Sequence, residues 1–383
     1  MSLLLSDEQV QFRDSVREFT RREVTPELIR KCEQDRRPPM HLLAAVAAND
    51  WLSVGIPEEF GGSPDYVCVA LLLEELGYGY LAAADLVYRA LIHGAGVLIN
   101  YGTPKMREEL LPRLLRGELL FLNGISEPGT GADASSLKTK AVPDGTDFVI
   151  NGHKIFNTGM GFSDYVVCYA RTDPEAPRHR GISAILVPTN ADGLTFREID
   201  TVGYRAIPTY EAWYEDVRVP AENLVGELHG GWSVMMGHLE KERLGLCALA
   251  SGATRRVLDD TVAYAGTREQ FGRPIGAFQA VSHMIADIKV LSHTSQLTML
   301  QLAALVDARR PARMEASIAK IHCAESYAKA ADLALQVWGA YGYSTESDVN
   351  RHWRDARLMP IGGGSTQIQK NVIGKLLGLP AAT

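Results

Sequence analysis

At 383 residues the chain is too long for one ordinary core, so two or three domains are expected. Its 46% hydrophobic and 22% charged content, without a biased tract, is that of a globular protein. A formal net charge of −7 sets nucleic acid aside as the main partner, since phosphate binding needs clustered positive charge. The basic pairs Arg21-Arg22 and Arg36-Arg37 sit beside acidic residues and read as solvated helix faces.

The opening run Leu3-Leu4-Leu5 is too short for a signal-peptide core. The apolar stretch Tyr80–Asn100 is broken by Asp85, Arg89 and His93, so no segment reads as membrane-spanning. Five scattered cysteines show no metal or redox spacing, which fits reduced thiols in a cytoplasmic protein. Ser6 offers an N-cap with Gln9 at the capping-box position, followed by Val10, Phe12, Val16 and Phe19 at helical spacing. Segments 41–50, 67–76 and 106–115 repeat that signal.

Near Leu120 the character changes. Pro143-Asp144-Gly145, Asn151-Gly152 and Asp192-Gly193 read as turns between short strands. The runs 165–170 and 184–187 have the β-branched and aromatic content of buried strands. After Trp232 helical periodicity returns almost to the end. Helices, then a β domain, then helices describe an α+β protein, with boundaries at 1–120, 121–230 and 231–383.

Gly129-Thr130-Gly131-Ala132-Asp133-Ala134 fits the G-x-G-x-x-A dinucleotide pattern. Glu127-Pro128 precedes it, however, and the strand-like segment 136–142 follows, so the strand–loop–helix context of nicotinamide binding is missing.

Several separated segments together resemble the acyl-CoA dehydrogenase family over nearly the whole chain. They are Gly55–Gly62, Ser126–Asp133, Asn151–Lys154, Asp216–Pro220, Arg268–Pro274, Gln336–Tyr343, Arg354–Ala356 and Thr366–Gln369. The resemblance implies an N-terminal helical domain, a middle β-barrel-like domain and a C-terminal four-helix-bundle-like domain. It also implies FAD as cofactor, an acyl-CoA substrate, an electron-transferring flavoprotein as electron acceptor, and a homotetramer or α2β2 assembly.

By the same resemblance, Ser126, Phe156 and Thr158 would contact the isoalloxazine, with Ser365 and Gln367 at further flavin positions. Arg268, Gln270, Phe271 and Gln279 would hold the adenosine diphosphate, with Gln336 and Gly339–Gly342 supplied by a neighbouring subunit. Gly339 and Gly342 have a physical rationale, because backbone approaches a diphosphate closely where no side chain intervenes. Ala132, Phe156, Asn157 and Gly159 depart from the family pattern.

Most of the family carries its catalytic base as the glutamate of a Glu-Gly-Thr segment before the final helix. Aligned on Gln367-Ile368-Gln369, that position here is Gly363, within Gly362-Gly363-Gly364. The isovaleryl-CoA and long-chain dehydrogenases take the base from an earlier helix, before an arginine. Leu239-Glu240-Lys241-Glu242-Arg243 matches that arrangement and makes Glu242 the candidate base. Leu239, Glu242, Leu246, Leu249 and Ala253 fall on one helical stripe. A carboxylate there is expected to be desolvated, which favours its proton-bound form and suits a base near neutral pH. The glycine trio leaves a lobe for that base or for substrate, and Arg243 either shapes the lobe or forms a buried ion pair.

Four other readings remain. An enoyl-CoA reductase resembling crotonobetainyl-CoA reductase would share the Gly-Gly-Ser segment. A carrier-protein thioester dehydrogenase would share the earlier-helix glutamate. Gly363 favours a non-catalytic subunit of a hetero-oligomeric dehydrogenase, and Glu242 opposes it. Glu242 also argues against a flavin monooxygenase of the same fold.

Overall fold

The computed structural model describes residues 4–380, so Leu3 lies outside it. The N-terminal helices begin with Asp7–Glu23, where Ser6 and Gln9 form the complete capping box. Met40–Ala48, Tyr66–Gly79 and Pro104–Leu115 follow at the periodic segments. The stretch Leu81–Tyr101 is helical throughout, with a π-helical turn at Arg89–Ala95. By length and composition it is apolar enough to cross a membrane, contrary to the sequence expectation, but 89% of its most apolar window is buried in the protein.

The middle region is one eight-stranded sheet: β1 (Phe121–Gly124), β2 (Lys140–Asp144), β3 (Asp147–Thr158), β4 (Tyr165–Arg171), β5 (Ile182–Pro188), β6 (Leu194–Ile199), β7 (Thr209–Pro220) and β8 (Leu224–Val225). The hydrogen-bonded path is β6-β7-β3-β2-β4-β5-β8, with β1 paired in parallel to β4. Residues alternate along β4: Val166, Cys168 and Ala170 enter the sheet's own core, while Val167 and Tyr169 enter the core shared with the helices.

Two of the three expected turns occur. Asp144 pairs with Asp147 across Gly145, and Gly193 turns the chain between β5 and β6. Asn151-Gly152 is instead inside β3, at a shift in register with β7. A Cβ on Gly152 would stand 2.3 Å from Thr139 Oγ1, so this glycine serves close packing of the loop before β2, and the turn signal misled.

The C-terminal region is built on three long helices, Leu239–Thr267, Gln279–Asp307 and Arg313–Trp338, with Thr366–Leu376 packed on the third. The helix Tyr66–Gly79 lies along the first of these. At their crossing a Cβ on Gly252 would be 2.0 Å from the Glu74 carbonyl oxygen, a distance only glycine permits. This close crossing ties the N-terminal helices to the helix that carries Glu242.

Candidate active site

The helix Leu239–Thr267 starts directly after the short helix Gly231–Gly237, with His238 between them. Along the apolar stripe Leu249 and Ala253 are fully buried, whereas Leu239, Glu242 and Leu246 are half-buried. The stripe therefore runs from the core into an open lobe, and the Glu242 side chain at its mouth keeps 17% exposure. The desolvation expected from the sequence is thus only partial.

Glu242 and the glycine trio converge. Gly363 and Gly364 take left-handed backbone angles, φ 62° and 83°. A Cβ built on Gly363 would lie 3.9 Å from Glu242 Oε1. The two positions that bear the base in different family members therefore open on the same space. The same Cβ would stand 2.3 Å from Leu246 Cδ1, so a side chain at 363 requires Leu246 to move as well as a strained backbone.

Buried polar groups surround this point. Tyr169 projects from β4, and its hydroxyl has no hydrogen-bond partner among the described residues. Burial raises its pKa, and the negative charge of Glu242 raises it further. Tyr88 packs its ring against Gly245 and is raised well above the ordinary phenol range by burial and then by Glu242. Arg243 is buried and donates to Ser317 Oγ at 3.3 Å; its Nε has no partner among the described residues. No carboxylate lies within ion-pair distance of it among the described residues, so the buried ion pair weighed from sequence does not form. Burial lowers its pKa. Lys320 donates to the Met359 carbonyl at 2.9 Å, and burial pushes its ammonium down to about 8.

The residues expected to face a flavin sit at one end of the sheet. Lys154 and Glu127 form a buried ion pair at 2.9 Å. The Glu127 carboxylate also accepts the Lys138 and Thr139 backbone N–H groups, at 2.6 and 2.8 Å. Burial alone would raise its pKa, but Lys154 and these donors outweigh that and lower it. Two of the sequence segments, Ser126–Asp133 and Asn151–Lys154, are therefore one interlocked unit. Within it the Ser126 carbonyl accepts the Ile155 N–H at 2.9 Å.

Phe156 stands on the second β3 irregularity at φ 60° and is 63% exposed. Thr158 exchanges a 2.5 Å hydrogen bond with Thr209, and its carbonyl accepts Arg89 Nη1 at 2.7 Å. Arg89 is itself held by Asp85 at 2.5 Å. Sequence reasoning treated Asp85 and Arg89 only as interruptions of an apolar run. Opposite charges four apart on an apolar helix were the available signal for this strut between domains.

Ser365 caps the helix Thr366–Leu376 next to the glycine trio, with Gln367 exposed beside it. Thr366 Oγ1 and Gln369 Oε1 are buried without partners among the described residues. The remaining expected residues are elsewhere. Arg268 follows the far end of the Leu239–Thr267 helix, 26 residues beyond Glu242 (268 minus 242), or about 39 Å at the helical rise. Its guanidinium lies 5.3 Å from the Tyr341 ring, and Tyr264 stacks on Trp338 at 4.1 Å. Gln270 and Phe271 lie in the connection after Arg268, Gln279 opens the second long helix, and Gln336, Gly339 and Gly342 lie at the end of the third beside Tyr341. Gly339 has φ 59° and ψ −136°, a backbone state reserved for glycine.

The nicotinamide reading finds no support in this geometry, since Gly129-Thr130-Gly131 is a surface turn followed by only a three-residue 3-10 helix, Ala134–Ser136. Nothing stands within 4 Å of a Cβ at Gly129, Gly131 or Gly339, and the exposed Phe156 and the orphaned Thr366 and Gln369 atoms leave contacts unused.

Comparison with known proteins agrees over the full length. Residues 6–118, 123–217 and 229–378 match the family models described as the N-terminal, middle and C-terminal domains of acyl-CoA dehydrogenase. The chain belongs to the acyl-CoA dehydrogenase family. It is accordingly an oxidoreductase. It is 36% identical to the probable acyl-CoA dehydrogenase YngJ of Bacillus subtilis, covering 98% of this chain and 100% of that one. It is 32% identical to the caffeyl-CoA reductase-Etf complex subunit CarC of Acetobacterium woodii, covering 98% and 99%. The solved structure of PigA with FAD and proline superposes with a TM-score of 0.91 at 26% identity, covering 98% of each chain.

Proposed function

We propose that this chain is an FAD-dependent acyl-CoA dehydrogenase in which Glu242 removes the α-proton of the acyl thioester. The observation that carries the reading is the convergence of Glu242 Oε1 on the Cβ position of Gly363, 3.9 Å away. FAD, when bound, supplies the acceptor for the hydride that leaves the β-carbon. Ser126, Phe156, Thr158, Ser365 and Gln367 are the residues that would hold the isoalloxazine. The protein's own work is to orient the thioester, take the proton on Glu242 and keep the carboxylate aimed into the lobe.

Glu242→Gln keeps the side chain's size and removes its basicity. Flavin content should persist while anaerobic bleaching of the flavin band by the best acyl-CoA slows by ~10²–10⁴-fold or more. Bleaching at the unmutated rate would remove Glu242 from the reaction.

Arg268 lies about 39 Å from Glu242 along the helix, and its guanidinium sits 5.3 Å from the Tyr341 ring, beside Gly339 and Gly342, which supports one common site for these residues away from the lobe. We therefore assign Arg268, Gln270, Phe271 and Gln279, together with Gln336, Gly339 and Gly342, to the cofactor of a neighbouring subunit. The sequence resemblance assigns only Gln336 and Gly339–Gly342 to the neighbouring subunit; the proposal here places both groups on one chain. Exposed Phe271, Tyr341 and Tyr343 at this end, with Val290 and Ile318 on the long helices, suit a subunit interface. A homotetramer is the proposed form, and light scattering that finds a flavin-loaded monomer would defeat it.

The five buried, unpaired cysteines suit a reducing, cytoplasmic setting. An electron-transferring flavoprotein is the proposed acceptor, supported by the likeness to a subunit of a reductase-Etf complex. The same likeness favours a second reading, an enoyl-CoA reductase, in which Glu242 would return a proton to the α-carbon. Stopped-flow reduction by acyl-CoA, set against reoxidation by the enoyl-CoA, gives the direction.

A further inference from the structure

His238 occupies the junction between the helices Gly231–Gly237 and Leu239–Thr267 and is 3% exposed. Its Nδ1 lies 2.8 Å from the Val234 carbonyl oxygen, one turn back. A carbonyl only accepts, so Nδ1 carries the hydrogen and the tautomer is fixed. The other nitrogen, Nε2, faces Glu242 Oε2 at 3.8 Å. Glu242 thus presents one oxygen to the Gly363 lobe and the other to His238. In this tautomer Nε2 carries no hydrogen, so it is the ring nitrogen open to a proton from Glu242.

His238 also lines a crevice, largely aliphatic, whose polar borders include Lys241, Tyr66 and the exposed Asn100. The cavity volume is ≈ 60 Å³. At roughly 10–15 Å³ per water, it has room for a short water file between the buried imidazole and the surface.

We infer that His238 relays the α-proton from Glu242 to solvent through this crevice. The inference rests on the reading of Glu242 as the base. The α C–H bond breaks and an O–H bond forms on Glu242. That O–H bond then breaks as an N–H bond forms at Nε2, giving an imidazolium whose Nδ1–H remains on Val234. The imidazolium passes its Nε2 proton to crevice water, which restores neutral His238 and ionised Glu242. At 3.8 Å the transfer needs a small rotation of the glutamate or one bridging water, as is common before substrate is bound.

The charged and titratable groups facing His238 are few. Its own helix supplies Glu242 and Lys241, the latter seated 4.7 Å from the Tyr66 ring. The π-helical turn supplies His93 and Arg89, and burial first, then Arg89 and His238, hold His93 well below the usual imidazole range. Tyr88 hydrogen-bonds His93 Nε2 at 3.2 Å. Tyr101, on the helix Gly96–Tyr101, adds its phenol beside the junction at Ser233. With His93 kept neutral, His238 is the imidazole placed to accept a proton from Glu242.

His238→Asn tests the relay. Asparagine Nδ2 replaces Nδ1 on the Val234 carbonyl, so the junction keeps its anchor while the group facing Glu242 is lost. Flavin content and melting temperature should stay near those of the unmutated enzyme. One readout should move. Proton release, followed with an indicator dye, should lag flavin bleaching at least about tenfold, where in the unmutated enzyme the two keep pace. If His238→Asn does not load flavin, the same readout applies to His238→Gln, whose amide likewise takes no proton. Proton release in step with flavin bleaching would overturn the relay. That result together with a collapsed Glu242→Gln leaves Glu242 as base; an unaffected Glu242→Gln removes both ideas.

Discussion

The two sides of the site are built differently. On the sheet side, Glu127 spends its acceptor capacity on Lys154 and two backbone N–H groups, and Arg89 is pinned between Asp85 and Thr158. On the helix side, Arg243 Nε, Thr366 Oγ1 and Gln369 Oε1 are buried without partners among the described residues, as is the hydroxyl of Tyr169, which reaches from β4 into the core shared with the helices. Buried polar atoms are seldom left unpaired, and those that are call for an explanation. Around Glu127 and Lys154 the sheet side is a closed frame that positions backbone, although Asn123 Oδ1, Thr139 Oγ1 and the Tyr214 hydroxyl are also buried without partners among the described residues; on the helix side the open capacity borders the Glu242 lobe. The first should be costly to break and the second cheap.

The largest effect is therefore expected from Lys154→Met. The lysine is fully buried, and its loss leaves the Glu127 carboxylate beside two backbone donors but without its cation. Breaking one partner of a buried pair typically costs about 3–5 kcal/mol. Urea titration should show a drop of that order, accompanied by loss of flavin as the Ser126 loop loosens. A change below about 1 kcal/mol would mean that the frame does not depend on this charge.

A smaller, pH-dependent effect belongs to Lys320, on the helix side. Its folded pKa is about 8 against an ordinary 10.5, with burial the main cause. Between those values the unfolded chain binds more protons than the folded one, so this residue makes stability rise with pH across that window. Below pH 8 the cost of the buried charge is present in full. Lys320→Met removes it, so the variant's advantage in melting temperature should be greatest near pH 7 and shrink towards pH 10. A gap that does not vary with pH would mean that Lys320 does not change charge there.

The order of helices and strands was legible in the sequence because helical periodicity and β-branched runs are local signals. The placing of Glu242 on one stripe with Leu246 and Leu249 was legible for the same reason, from spacings of three and four; its proposed role as base came from the family resemblance, with Gly363 at the usual position. The partners were not legible. Glu127 and Lys154 meet only through the register of β3 and the loop before β2, which no local pattern encodes. Gly152 carries a turn signature, yet its role is to admit Thr139. His238 owes its place to the break between two helices, and its tautomer to a carbonyl four residues back. The grouping of Arg268 with Gly339 depends on how the long helices lie side by side, which sequence spacing does not report.

The smallest effect should come from Tyr169→Phe, and its sign is the informative part. The ring is fully buried in the core between sheet and helices, so phenylalanine retains the packing. What is lost is a hydroxyl that no described residue hydrogen-bonds. Burying an unpaired hydroxyl costs on the order of 1–3 kcal/mol, so removing it should leave stability unchanged or raise it by about 1 kcal/mol. The burial and Glu242 charge that raise the tyrosine's pKa keep it a neutral donor at any ordinary pH, suited to a thioester oxygen or to the carboxylate. The cost should therefore appear in function: a higher KM for acyl-CoA, or slower flavin reduction, in a chain that melts no earlier. Urea titration together with anaerobic stopped-flow separates the two. A loss of stability near 1 kcal/mol with unchanged kinetics would show that the hydroxyl is satisfied in the resting protein, and the helix side would then be as closed as the frame around Glu127 and Lys154.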